Sequence, residues 1–151
     1  MKSIFTLVMF VFFLFTITTN SYANSRPNNS IGFIKSLSGE VYLSYKGEDL
    51  KAVVNMKLTQ GDTIKTGHDG AVGLILEDDT VISLGPGSEI QLESFAFYPA
   101  EKQLSFVARI LSGTFSFITG KIAKLAPEKM ILETPDATLG VRGTKFLVKV
   151  E

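Results

Sequence analysis

The chain holds a single histidine, His68, in the turn "TGHDG", with Asp69 directly after it. A His–Asp pair is part of an acyl-transfer apparatus, but no serine in a nucleophile-elbow setting accompanies it. With no His, Cys or carboxylate cluster at ligand spacing, His68 is also a poor metal ligand. The acidic turns Glu77-Asp78-Asp79 and Asp69-Gly70 could offer oxygens to calcium. Calcium takes about six to eight oxygens from spaced positions, and the alternating D-x-D-x-D-G pattern is missing. Asp-rich hairpin turns need no further cause. The chain has no cysteine, which removes thiolate nucleophiles, Cys-based metal sites, disulfides and a lipoprotein anchor. We therefore expect no catalytic, cofactor-binding or metal-binding residue, and read the protein as not an enzyme.

Arg142 is the more informative residue. It stands near two glycines in "TPDATLGVRGTKF", residues 134–146. Pro135 cannot donate to a sheet ladder and belongs at a strand start or edge. Gly140 and Gly143 would supply positive φ or let another backbone come close. An arginine at such a bend can clamp several carbonyls or a carboxylate. The expectation is an internal clamp with Asp62 as its partner. The alternative is an outward Arg142 that holds an anionic ligand or a partner's carboxylate.

Aromatic residues gather in "ESFAFYPAEKQLSF", residues 93–106. Phe95 and Phe97 share one strand face, and Ala96 and Tyr98 the other. Buried rings would be core, and exposed rings beside the proline turn would form a contact patch for a partner. Three rings exposed on one plane would instead suit glycan stacking, although the chain has no tryptophan.

The elements that position these residues read as strands. "GFIKSL", "VYLSY", "DLKAVV", "DTIKT", "AVGLIL", "TVISL", "SEIQL", "FAFY", "QLSFVARI", "TFSFI", "KMILET" and "KFLVKV" follow one another, with Gly- or Asp-rich separators. Such spacing predicts an all-β domain, either solenoid-like or double-layered in the manner of a sandwich or jelly roll. Ile90 and Leu92 share a face, as do Leu104, Phe106, Ala108 and Ile110, and again Phe146, Val148 and Val150. "AVGLIL" and "TVISL" are apolar on both faces and belong at the centre. One or two helical turns are expected near 119–127, in "TGKIAKLAPEK", too short and too weakly apolar to hold a bilayer.

Residues 1–23 read as a signal peptide: Lys2, the apolar run "IFTLVMFVFFLF" (4–15), then Ser21 and Ala23 at small-residue cleavage positions. The run is shorter than the about 18 residues a spanning helix needs. An uncleaved inner-membrane anchor is the alternative. Cleavage after Ala23 would leave a flexible lead-in at 24–30 and a single β domain at 31–151, with no stable membrane insertion. Only Lys2 among the charged groups is lost, leaving 14 basic against 15 acidic residues. This balance argues against nucleic acid, which needs clustered Lys and Arg.

Four segments in order carry a resemblance: "GDTIKTG" (61–67), "GPGSEI" (85–90), "SGTF" (112–115) and "TPDATLGVRGTKF" (134–146). With the residues between them, over about 33 to 150, they resemble the FecR-domain family, exported β domains named for the periplasmic part of a ferric-citrate signalling regulator. The resemblance implies mainly structural roles for Gly61, Asp62, Thr66, Gly67, Gly85, Gly113, Thr134, Pro135, Gly140, Arg142, Gly143 and Thr144. It also implies action through protein contacts rather than catalysis. The regulator's anti-sigma segment and transmembrane helix have no counterpart in this sequence, so the expectation is a free-standing version of the module. We expect a periplasmic binding or signalling module without cofactor, touching a periplasmic or membrane protein through its surface or sheet edges. Phe95, Phe97 and Tyr98 are its candidate contacts. A carbohydrate- or peptidoglycan-binding module is the second reading.

Overall fold

The computed structural model describes residues 29–151. The leader at 1–23 and most of the lead-in lie outside the described residues. Twelve strands follow in order: β1 (Ser30–Ser38), β2 (Val41–Tyr45), β3 (Glu48–Lys51), β4 (Lys57–Thr59), β5 (Thr63–Thr66), β6 (Ala71–Leu76), β7 (Val81–Leu84), β8 (Glu89–Tyr98), β9 (Gln103–Ile118), β10 (Met130–Glu133), β11 (Thr138–Gly140) and β12 (Lys145–Val150). One short helix, α1 (Lys121–Leu125), sits between β9 and β10, where helical turns were expected.

One curled sheet folds over into two layers. The first layer runs β3-β2-β5-β8-β9-β10-β11, and the second runs β4-β1-β6-β7-β9-β12. β9 belongs to both. Its first half pairs antiparallel with β8 and parallel with β10, and its second half pairs with β7 and β12. The inner faces meet in one core that includes Leu43, Ile64, Ile90 and Phe106 from the first layer and Ile34, Leu74, Ile82 and Phe117 from the second. Each such side chain is worth about 1.5–3 kcal/mol when taken fully out of water, so this core dominates the fold. β6 and β7 lie inside the second layer, which explains their apolar residues on both faces.

Two pairs of expected strands are single long ones. "SEIQL" and "FAFY" merge into β8, and "QLSFVARI" and "TFSFI" merge into β9. In each case a slip in register reverses the alternation. Across β8 the pairing shifts between Leu92 and Ser94, so Ile90 and Leu92 face the core before it and Phe95 after it. Along β9, Phe106, Ala108 and Ile110 face inward, then Phe115 and Phe117 do. The pairing slips between Ile110 and Ser112, just before Gly113, where φ is +101°. An added residue of this kind bends a strand and lets it pass from one sheet to another. The three-residue strands β4 and β11 were not expected, because neither is long enough to show an alternation.

Candidate functional site

All the motif glycines but Gly140, which ends β11, stand where the chain changes layers. It crosses between layers at 39–40, 52–56, 60–62, 67–70, 85–88, 111–113, 119–129 and 141–144, and the motif glycines Gly61, Gly67, Gly85, Gly113 and Gly143 lie in five of these. Three of these crossings stack into a seam. Gly67 N–H donates to the Glu40 carbonyl at 2.8 Å, Gly87 N–H to the Gly67 carbonyl at 3.0 Å, and Gly85 N–H to the Thr114 carbonyl at 2.9 Å. Side-chain hydroxyls lock the seam. The Thr66 hydroxyl donates to the Gly85 carbonyl at 2.7 Å and accepts the Ser88 N–H at 2.8 Å. The Ser88 hydroxyl accepts the Thr114 N–H at 3.1 Å. A Cβ at Gly113 would run into Ser88, backbone and side chain alike. "GDTIKTG", "GPGSEI" and "SGTF" are thus one three-dimensional feature. The Thr66 and Ser88 hydroxyls are committed to backbone groups. Ser88 and Thr114 take part without having been singled out in the sequence, although "GPGS" and "SGT" contain them.

The acidic turn has a structural task. Asp78 is buried, and its carboxylate accepts the Thr80 N–H at 3.1 Å, the Thr80 hydroxyl at 2.8 Å and the Ile122 N–H at 3.2 Å. The β6–β7 turn therefore holds the start of α1, where free N–H groups need acceptors. Asp79 adds an ion pair to Lys121 at 2.8 Å. His68 is exposed, and Asp69 caps the Glu40 N–H at 3.2 Å. Among the described residues no group of three His, Cys, Asp or Glu could hold a metal ion.

The expected Arg142–Asp62 clamp is corrected by the structure. Asp62 is buried in the turn before β5, where its carboxylate accepts the Thr59 N–H at 2.8 Å. Arg142 lies in the crossing from β11 to β12, exposed and without an ion pair among the described residues. It borders a surface hollow with Pro127, Glu128, Gly140 and Val141. An arginine pays a heavy desolvation cost when buried, and this crossing gives it open water instead. Gly140 departs from expectation too: it has neither a positive φ nor a close neighbour. Gly143 has φ +120°, a conformation that disfavours any side chain. Its carbonyl accepts the Thr119 hydroxyl at 2.9 Å, which ties this crossing to the end of β9. Thr134 and Ala137 close the turn around exposed Pro135 with a pair of hydrogen bonds, each at 3.1 Å.

The aromatic candidates separate. Phe95 is core, 8% exposed, with its ring edge-on to Phe106 at 6.2 Å. Phe97 is half-buried, with the Lys121 ammonium 5.9 Å from its ring centre. Tyr98 is 51% exposed. All three border one hollow of about 330 Å³, together with Gln60 and Glu77. They form no flat three-ring platform. The register slip in β8 drives Phe95 inward, while the strand's end leaves Tyr98 at the rim. The hollow's polar members come from Asn29 and Ser30 at the start of β1, from Gln60 and from the acidic turn, all far from the aromatic segment in sequence.

The chain is thus a double-layered β domain with its crossings locked by hydroxyls and an open rim of aromatic and charged groups. The family described as FecR protein matches residues 62–151, more than half of the chain. The chain belongs to the FecR family, a regulatory, signalling-related family. The matched span opens at Asp62, so β1–β4 precede it within the same folded sheet. No curated protein and no solved structure matches the chain. No helix among the described residues is long and apolar enough to cross a membrane.

Proposed function

We propose that this protein is a non-catalytic FecR-like module, exported to the periplasm, that passes on an envelope signal by contacting a protein partner. The observation that carries the reading is the family match over residues 62–151. The contact surface in this reading is the rim around Tyr98 and Phe97, with Gln60 and Glu77 beside the rings. Half-exposed aromatics next to polar groups are what interface anchors are made of. Arg142, exposed and without an ion pair among the described residues, offers a second anchor for a partner carboxylate. The leader supports export, since an n-region, apolar run and small-residue site stand in order at 1–23.

The carbohydrate reading draws less support, because stacking on a sugar wants coplanar exposed rings and only Tyr98 is more than half exposed. Affinity capture from the envelope fraction tests the proposal. The wild-type protein is expected to retain one specific envelope protein, and a Tyr98→Asp variant, folded by circular dichroism, to lose it. Capture that is equal for both variants removes the Tyr98 rim from the reading. Retention of the chain in the cytoplasm with its leader attached overturns the proposal altogether.

A further inference from the structure

The first layer has two edges among the described residues, β3 and β11. β3 closes that layer and is hydrogen-bonded on one side only among the described residues, to β2. The connecting turn is Lys46-Gly47, with φ +51° and +84° at its two residues, a tight hairpin loop that fixes the register. Tyr45 pairs with Glu48, Leu43 with Leu50, and the Ala52 N–H donates to the Val41 carbonyl. Glu48, Leu50 and Ala52 therefore spend their backbone groups on β2. In an antiparallel ladder the alternate residues point the other way, so Asp49 and Lys51 present unpaired N–H and C=O groups outward.

The side chains around this edge are equally telling. Four of the ten large apolar residues exposed among those described fall within thirteen positions of sequence: Tyr42 in β2, Leu50 in β3, and Val53 and Val54 just after it. Leu50 lies opposite buried Leu43, on the core face, yet stays 45% exposed because nothing continues the sheet beyond it. Asp49 and Lys51 make no ion pair among the described residues.

We propose that two copies of this chain associate by antiparallel pairing of β3 with β3, on a twofold axis through Leu50. In that register Asp49 of one copy lies directly opposite Lys51 of the other, twice over. Those are the residues whose backbone groups face outward, so each pair exchanges both hydrogen bonds. Opposite charges at directly facing positions stabilise a strand pair, and like charges there destabilise it. Leu50 meets its own symmetry mate across the close, non-hydrogen-bonded position, where it gains the apolar neighbour it lacks in one copy. The same patch serves both subunits, so the assembly closes at two. Short charged edges usually prevent strand addition; here the charges are self-complementary. A contact of one four-residue strand is small beside a standard interface of about 1,600 Å², so the dimer is weak and concentration-dependent. The inference uses a different edge from the Tyr98 rim and stands whether or not that reading holds.

Light scattering coupled to size exclusion, over a concentration series, tests it. The molar mass is expected to rise from one chain towards two and stop there. Asp49→Lys and Lys51→Asp each put like charges opposite one another and are expected to raise the dissociation constant about tenfold or more. The double variant D49K/K51D restores opposite pairs and the dimer. An equimolar mixture of the two single variants also pairs opposite charges, and is expected to dimerise where each alone does not. Circular dichroism of every variant shows that the fold is intact. A single-chain mass at the highest concentration, growth beyond two chains, or single variants that dimerise like wild type would each overturn the proposal.

Discussion

Thr66 and Ser88 do by hydrogen bonding what a disulfide would do in a cysteine-bearing exported domain: they fasten crossings of the chain to one another. Thr66→Val keeps the shape but strands the Gly85 carbonyl and the Ser88 N–H. An orphaned buried group costs about 1–3 kcal/mol, so the denaturation midpoint of this variant is expected to fall accordingly. Gly113→Ala should cost more, about 2–4 kcal/mol, because positive φ and a collision with Ser88 act together. Arg142→Met is the counterpart. With an exposed guanidinium and no ion pair among the described residues, it should change stability by less than about 0.5 kcal/mol in the same urea titration. A large loss there would restore the clamp that the sequence suggested. The Gly113 position shows why type and spacing are informative at this scale: a glycine between polar residues in "SGTF" marks a bend whatever surrounds it. Partners are another matter. Nothing in the order of residues says that Asp62 turns back to the Thr59 N–H instead of reaching Arg142.

Among elements, α1 is held by a turn 44 residues before it in the chain, through Asp78 and Ile122. Five residues are too few to form a stable helix alone. Asp78→Ala is expected to raise amide hydrogen exchange at Gly120 and Ile122 well above that of the β9 core, with little effect on β1 or β2. Unchanged protection at 120–125 would mean that packing of Ile122, not the carboxylate, holds the helix. The strands were legible because period-2 alternation survives in each short run, "KFLVKV" and "QLSFVARI" above all. Their fusion into β8 and β9 was not. A bulge looks like a break when alternation is the only signal, since parity reverses across it just as it does across a loop. The same slip decides the fate of the aromatics. By alternation with Leu92, Phe95 would face water; one residue out of register places it against Phe106.

For the whole molecule, family membership and the two-layer fold describe a scaffold whose seam hydroxyls are spent on its own crossings. In the proposed reading, contacts are made at its surfaces, the Tyr98 rim and the β3 edge. The aromatic half of that rim was visible in the sequence. That Gln60 and Glu77 join the rings was not, because a crossing and a hairpin turn distant in sequence bring them there. The central claim is that the protein works by being bound. It is tested most directly by placing a photo-crosslinking amino acid at position 98, and at exposed position 35 as a control, in the cell that makes the protein. Irradiation is expected to give one discrete adduct from position 98, in the periplasmic or membrane fraction, at a mass other than twice the chain. Position 35 should give none. Equal labelling from both positions, or no adduct from position 98 at native expression, would contradict the account.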